Sequence, residues 1–153
     1  MLFRSGGVSA LAQDGDAASG RRVFFNPAVG CARCHRIEDH GGHIGPDLSV
    51  IARSSSREKL VQSILQPSRE IAPQFVTHTV GTKDGQSYSG LMVGGGGGGS
   101  VALITVDGNG VMIPADQVVS DVPSPVSLMP EGLADALTTR DFRDLLTFLL
   151  SRR

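Results

Sequence analysis

"GCARCHRIEDHGGHIGPDL", residues 30–48, holds both cysteines of the chain and three of its four histidines. Two chemistries compete for it. Cys31, Cys34 and His35 form C-x-x-C-H, the attachment pattern for a c-type haem. Two thiols on one turn add to the two porphyrin vinyl groups as thioethers, and the next residue, His35, is then held beneath the iron as an axial ligand. Cys31, Cys34, His40 and His43 instead form C-x2-C-x5-H-x2-H, with ligand types suited to tetrahedral zinc. That spacer is shorter than the roughly 12 residues usual between zinc pairs, and it leaves His35 without a role. A thioredoxin-like redox pair would need a βαβ setting that is missing, and a disulfide across C-x-x-C closes too small a loop to stabilise much.

The haem reading makes demands elsewhere in the chain. A ligating imidazole needs its far N–H accepted, commonly by a backbone carbonyl. Gly45-Pro46-Asp47-Leu48 follows at a short distance and offers the Pro46 carbonyl, although Gly-Pro-Asp is also simply a good turn. A sixth ligand should come from a distant segment. Met92 and Met112 fall in expected strands, where methionine usually fills core space. Met129 stands in an irregular loop, "SLMPEGL", stiffened by Pro130, and is the favoured ligand. His40, His43 and His78 are its rivals, but His43 lies only eight residues beyond His35.

A chain of 153 residues with 40% hydrophobic content supports one ordinary domain carrying an insertion. Its net charge of −1 argues against nucleic-acid or anionic-membrane partners. No run of eighteen or more apolar residues is present to span a membrane, and the opening residues lack the apolar centre of a secretory signal. Leu2-Phe3-Arg4-Ser5 matches one reading frame of a common sequencing-adaptor end, so the true N-terminus is expected to lie upstream. Residues 1–13 are expected to form a disordered leader, and 14–153 a single domain with a β insertion at about 74–122.

Helices are expected at both ends. One starts at Asp14 or Asp16, places Ala17, Gly20 and Phe24 on one face, and stops at Asn26-Pro27. "SSSREKLVQSILQPS" offers Ser55 and Glu58 as a capping box, apolar pairs Leu60/Ile64 and Val61/Leu65, and Pro67 as terminator. "TTRDFRDLLTFLLSRR" carries Phe142, Leu145, Leu146 and Leu149 as a stripe behind a Thr138 or Thr139 cap. Between them, "QFVTHTV", "QSYSGLMV", "VALITV" and "GVMIP" read as four or five antiparallel strands, with Asp84-Gly85, Asp107-Gly108 and Asn109-Gly110 at turns. Gly94–Gly99 reads as a hairpin loop, since no Lys-Ser/Thr or helix start follows to make a phosphate cradle. "VPSPVSLMPEGL" is expected to be irregular.

"GRRVF" on a first helix, C-x-x-C-H, "GPDL", a methionine loop and a terminal helix together resemble a class I cytochrome c. "GPDLSVIARSSSREKLVQSILQPSREIAP" and "SPVSLMPEGL", with β structure between, are similar to the haem-binding C-terminal domain of large exported planctomycete-type proteins. The resemblance covers residues 17–150. It implies a mainly α, cytochrome c-like helical core with an inserted small antiparallel β-sheet (α+β overall). It implies haem c bound through Cys31 and Cys34, with His35 and Met129 on the iron. The expected role is electron transfer without catalysis of its own, in the periplasm or otherwise outside the cytoplasm. The partner would be a redox protein or a fused upstream dehydrogenase or β-propeller domain. Haem catalysis or sensing with a labile sixth ligand is the alternative, followed by a zinc-stabilised interaction module.

Overall fold

The computed structural model describes residues 11–95 and 99–153, and the chain divides into two compact units. One comprises the chain up to Pro67 together with Pro130–Arg153; the other is Ser68–Met129. About a third of the residues are helical and about a quarter lie in strands. The expectation of a mainly α fold is therefore corrected: a five-stranded antiparallel sheet forms a unit with an apolar core of its own.

In the first unit, α1 (Ala17–Phe24) begins where the Asp16 carboxylate accepts the Ser19 N–H, which satisfies one of the helix's orphan donors. α2 is the single turn Cys31–Cys34, and the two-residue strands β1 (Arg36–Ile37) and β2 (His40–Gly41) pair behind it. α3 spans Arg57–Leu65 and α4 spans Thr139–Leu150. The α3 cap is Ser56, accepting from Lys59, one residue beyond the expected Ser55. Thr138 and Asp141 close the capping box of α4. The expected stripe of Phe142, Leu145, Leu146 and Leu149 is buried, together with Phe24, Leu60 and Leu137. Leu11, inside the expected leader, is buried in this core, whereas residues 1–10 lie outside the described residues.

α1 and α4 touch along their backbones. A Cβ on Gly20 would lie 2.0 Å from the Asp144 carbonyl oxygen, so only glycine admits this approach. The buried Asp144 carboxylate accepts the Asp16 N–H at 2.8 Å, and Thr147 Oγ1 accepts the Gly15 N–H at 2.8 Å. One helix thus receives the unpaired donors at the start of the other.

The second unit contains β3 (Thr77–Thr82), β4 (Ser87–Gly95), β5 (Ser100–Ile104), β6 (Gly110–Pro114) and β7 (Val118–Pro123). The strand order is β6-β5-β4-β3-β7. Flat, the sheet would hold its edge strands about 19 Å apart. Only the three-residue 3-10 turn Ala115–Gln117 joins those edges, and its N-terminal neighbour in space is Gly99 while Gln117 accepts from Lys83 at 2.9 Å. The sheet is therefore strongly curled, with the end of β6 brought near the start of β7. Val80, Leu103 and Ile113 form its apolar core, flanked by Tyr88, Met92, Val101, Val111 and Val118.

Details of the strand reading shift. Pro73–Phe75 is a 3-10 turn, so β3 starts at Thr77, and Val122-Pro123, expected to be irregular, end β7. Gly94 and Gly95 belong to β4, and residues 96–98 of the expected glycine loop lie outside the described residues.

Candidate haem-attachment site

The Cys/His turn is built by local geometry. Asn26 accepts the N–H groups of Val29 and Gly30, bending the chain after α1. Gly30 then takes φ +85°, a left-handed angle that glycine adopts freely, and launches α2. Cys31 and Cys34 sit at the two ends of that turn, both half-buried and neither in a disulfide. Burial pushes the Cys31 thiol pKa up.

His35 follows directly. Its Nδ1 lies 2.9 Å from the Pro46 carbonyl oxygen. A carbonyl only accepts, so Nδ1 carries the proton and Nε2 keeps its lone pair. Burial lowers the imidazole pKa and the Pro46 contact partly offsets that, favouring a neutral ring. A neutral imidazole with a fixed tautomer is the form that binds a metal.

The loop that presents Pro46 is laced to the Cys/His turn. Gly42 N–H donates to Ala32 O at 2.9 Å, Gly45 N–H to Cys34 O at 2.8 Å, and Leu48 N–H to Arg36 O at 2.8 Å. Gly45 has no room for a side chain: its Cβ would stand 2.8 Å from both Nδ1 and Cε1 of His35. Gly42 is equally closed, with a would-be Cβ 1.9 Å from Arg33 O. The sequence reading singled out Pro46 but missed these glycines and Asp47; the dense "GGHIGPD" spacing was the available signal.

Cys31, Cys34, His35 and Pro46 are thus brought together. The zinc set is not: among the described residues no group of three or more His, Cys, Asp or Glu side chains could hold a metal ion. His40 is exposed on β2 with its ring edge towards Phe25 at 6.4 Å, and His43 is exposed. Met129 is half-buried in the bend that ends the second unit, where its N–H donates to Ser127 Oγ at 3.1 Å. Ser127 N–H in turn donates to Ser68 Oγ at 3.2 Å. Of the other methionines, Met92 packs against the apolar core of the sheet and Met112 is exposed. His78 Nδ1 lies 2.6 Å from Asp121 within the sheet.

Two free thiols on one turn and a tautomer-fixed histidine beside them are the donor set that a covalently attached haem requires. Among the described residues no helix is long and apolar enough to cross a membrane. No curated protein matches the chain. A family model described as Cytochrome c matches residues 17–93, from the first residue of α1 through the Cys/His turn and the Pro46 loop into β4. The chain belongs to the cytochrome c family, and its cofactor is haem c, bound covalently through Cys31 and Cys34.

Proposed function

We propose that this chain is an electron-transfer domain whose single haem has His35 and Met129 as axial ligands. The observation that carries the reading is the His35 Nδ1 contact with Pro46, which leaves Nε2 as the ring's only free lone pair. Bound haem supplies one-electron iron chemistry. Cys31 and Cys34 fix it to the chain, and Pro46 fixes the imidazole plane and tautomer. Met129 supports the reading through its backbone: pinned through Ser127 to Ser68 and followed by Pro130, its loop has little freedom to lose on binding. A thioether is soft and neutral, so it favours ferrous iron and raises the potential relative to a second histidine. With both axial positions filled, no substrate reaches the iron, and the chain is an electron carrier, not an enzyme. Thioether attachment takes place outside the bacterial cytoplasmic membrane, so the domain works there, exchanging electrons with a redox partner protein or a fused upstream dehydrogenase or β-propeller domain.

The test is expression with a haem-maturation system. Wild-type protein is expected to keep its haem through denaturing electrophoresis, and Cys31→Ala with Cys34→Ala to lose it. Met129→Ala is expected to lose the methionine-to-iron charge-transfer band, gain a high-spin signal and fall in potential. A wild-type spectrum of bis-histidine type, unchanged in Met129→Ala, would remove Met129 from the iron.

A further inference from the structure

We propose that Asp47 is a positioning residue for the axial histidine: tied by Arg36 and Ser49, it aims the Pro46 carbonyl at His35 Nδ1 and so tunes the reduction potential. The inference rests on His35 being the iron ligand proposed above. Asp47 directly follows Pro46 and Arg36 directly follows His35, so their contact runs alongside the imidazole hydrogen bond. Asp47 Oδ2 receives Arg36 Nε at 3.1 Å and Arg36 Nη2 at 3.0 Å. Its other oxygen accepts the Ser49 N–H at 2.8 Å and the Ser49 hydroxyl. Both carboxylate oxygens are therefore committed.

The network continues outwards. Ser49 Oγ accepts the Glu38 N–H at 2.6 Å, and Glu38 pairs with Arg152 Nη1 at 2.9 Å. Glu38 holds φ +56°, a left-handed angle unfavourable for a residue with a Cβ, so this turn between β1 and β2 depends on such ties.

Side-chain anchoring matters because Pro46 has no N–H with which to bind the surrounding backbone. The peptide joining Pro46 to Asp47 carries the accepting carbonyl. Its plane is set by Pro46 ψ and Asp47 φ, and the committed Asp47 side chain restricts the latter. A hydrogen bond to the far nitrogen makes a ligating imidazole more basic and stabilises ferric iron, which lowers the potential. Loosening it raises the potential.

The discriminating comparison uses haem-loaded Asp47→Ala, Arg36→Gln and Ser49→Ala. If the side chains acted only through charge, removing Asp47 would raise the potential, removing Arg36 would lower it and Ser49→Ala would leave it in place. Positioning instead predicts a raised potential in all three, with faster hydrogen exchange of the His35 ring N–H by NMR. Ser49→Ala, the mildest change, keeps the test available if a charge variant folds poorly. Failure of Arg36→Gln or Ser49→Ala to raise the potential overturns the proposal while leaving the electron-transfer reading intact. A wild type without covalent haem, or with iron not bound by His35, overturns both.

Discussion

At position 20, the intrinsic preference of the residue and the demand of its surroundings oppose each other. On a solvent-exposed helix, alanine would be favoured over glycine by about 1 kcal/mol. Here the added methyl would meet Asp144 O at 2.0 Å and Phe148 Cβ at 2.7 Å, both on the facing helix α4. Overpacking of this kind costs about 1–3 kcal/mol and sometimes more, so it outweighs the propensity gain. Gly20→Ala is expected to lower stability by about 2 kcal/mol in chemical denaturation. A neutral or stabilising result would show that α1 and α4 can separate at little cost. The sequence disclosed that Gly20 faces inward with Ala17 and Phe24, but not why it must be glycine. That reason belongs to a backbone contact with a residue more than a hundred positions away. Cys31 and Cys34 are legible because their attachment chemistry depends on spacing within one turn; Gly42 and Gly45 serve close approaches across a loop, which spacing alone does not reveal.

Among the elements, the helices were read well because their ends carry chemical marks. Asp16, Thr138 and the Phe142–Leu149 stripe all do what their residue types suggest. The turn signal misleads at one position, because Asp-Gly and Asn-Gly occur together in "VDGNG" and both suit a tight hairpin. The structure separates them. Thr82 and Thr105 each donate a hydroxyl to the aspartate two residues on, and Gly85 and Gly108 each return an N–H to that threonine's carbonyl. Gly85 has φ +81° and Gly108 φ +83°, whereas Gly110 opens β6 without a positive φ. The two hairpins share one design, and Asn109-Gly110 is not a turn centre. Gly108→Ala is therefore expected to cost about 1–2 kcal/mol from the left-handed angle. Gly110→Ala, with nothing within 4 Å of its would-be Cβ, is expected to be close to neutral. Thermal denaturation of the pair reads the difference; equal costs would reject the assignment of the turn to Gly108.

For the whole molecule, the inserted sheet was visible strand by strand, yet its weight in the fold was not. Strand periodicity reports which faces are apolar, but the curl of the sheet depends on a three-residue connection, Ala115–Gln117, that reads as an ordinary turn. A mainly helical description fails because five paired strands make up about a quarter of the chain and bury an apolar core of their own. The two cores share no residue: Phe24, Phe142 and Leu146 fill one, Val80, Leu103 and Ile113 the other. Cavities are felt by the neighbours that lose contact, so Leu103→Ala should act first on the sheet unit. Its side chain is fully buried, and the expected cost is about 2–5 kcal/mol. Met112→Leu is a volume-conserving change at an exposed position and should cost well below 1.5 kcal/mol, roughly the ceiling for such swaps even in a core. Amide hydrogen exchange resolves where the loss falls. Leu103→Ala is expected to accelerate exchange across β3 to β7 while α1 and α4 keep their protection, because local opening follows the contacts that are lost. Equal acceleration in α1, α4 and the sheet would mean that the separate interiors nonetheless unfold as one cooperative body.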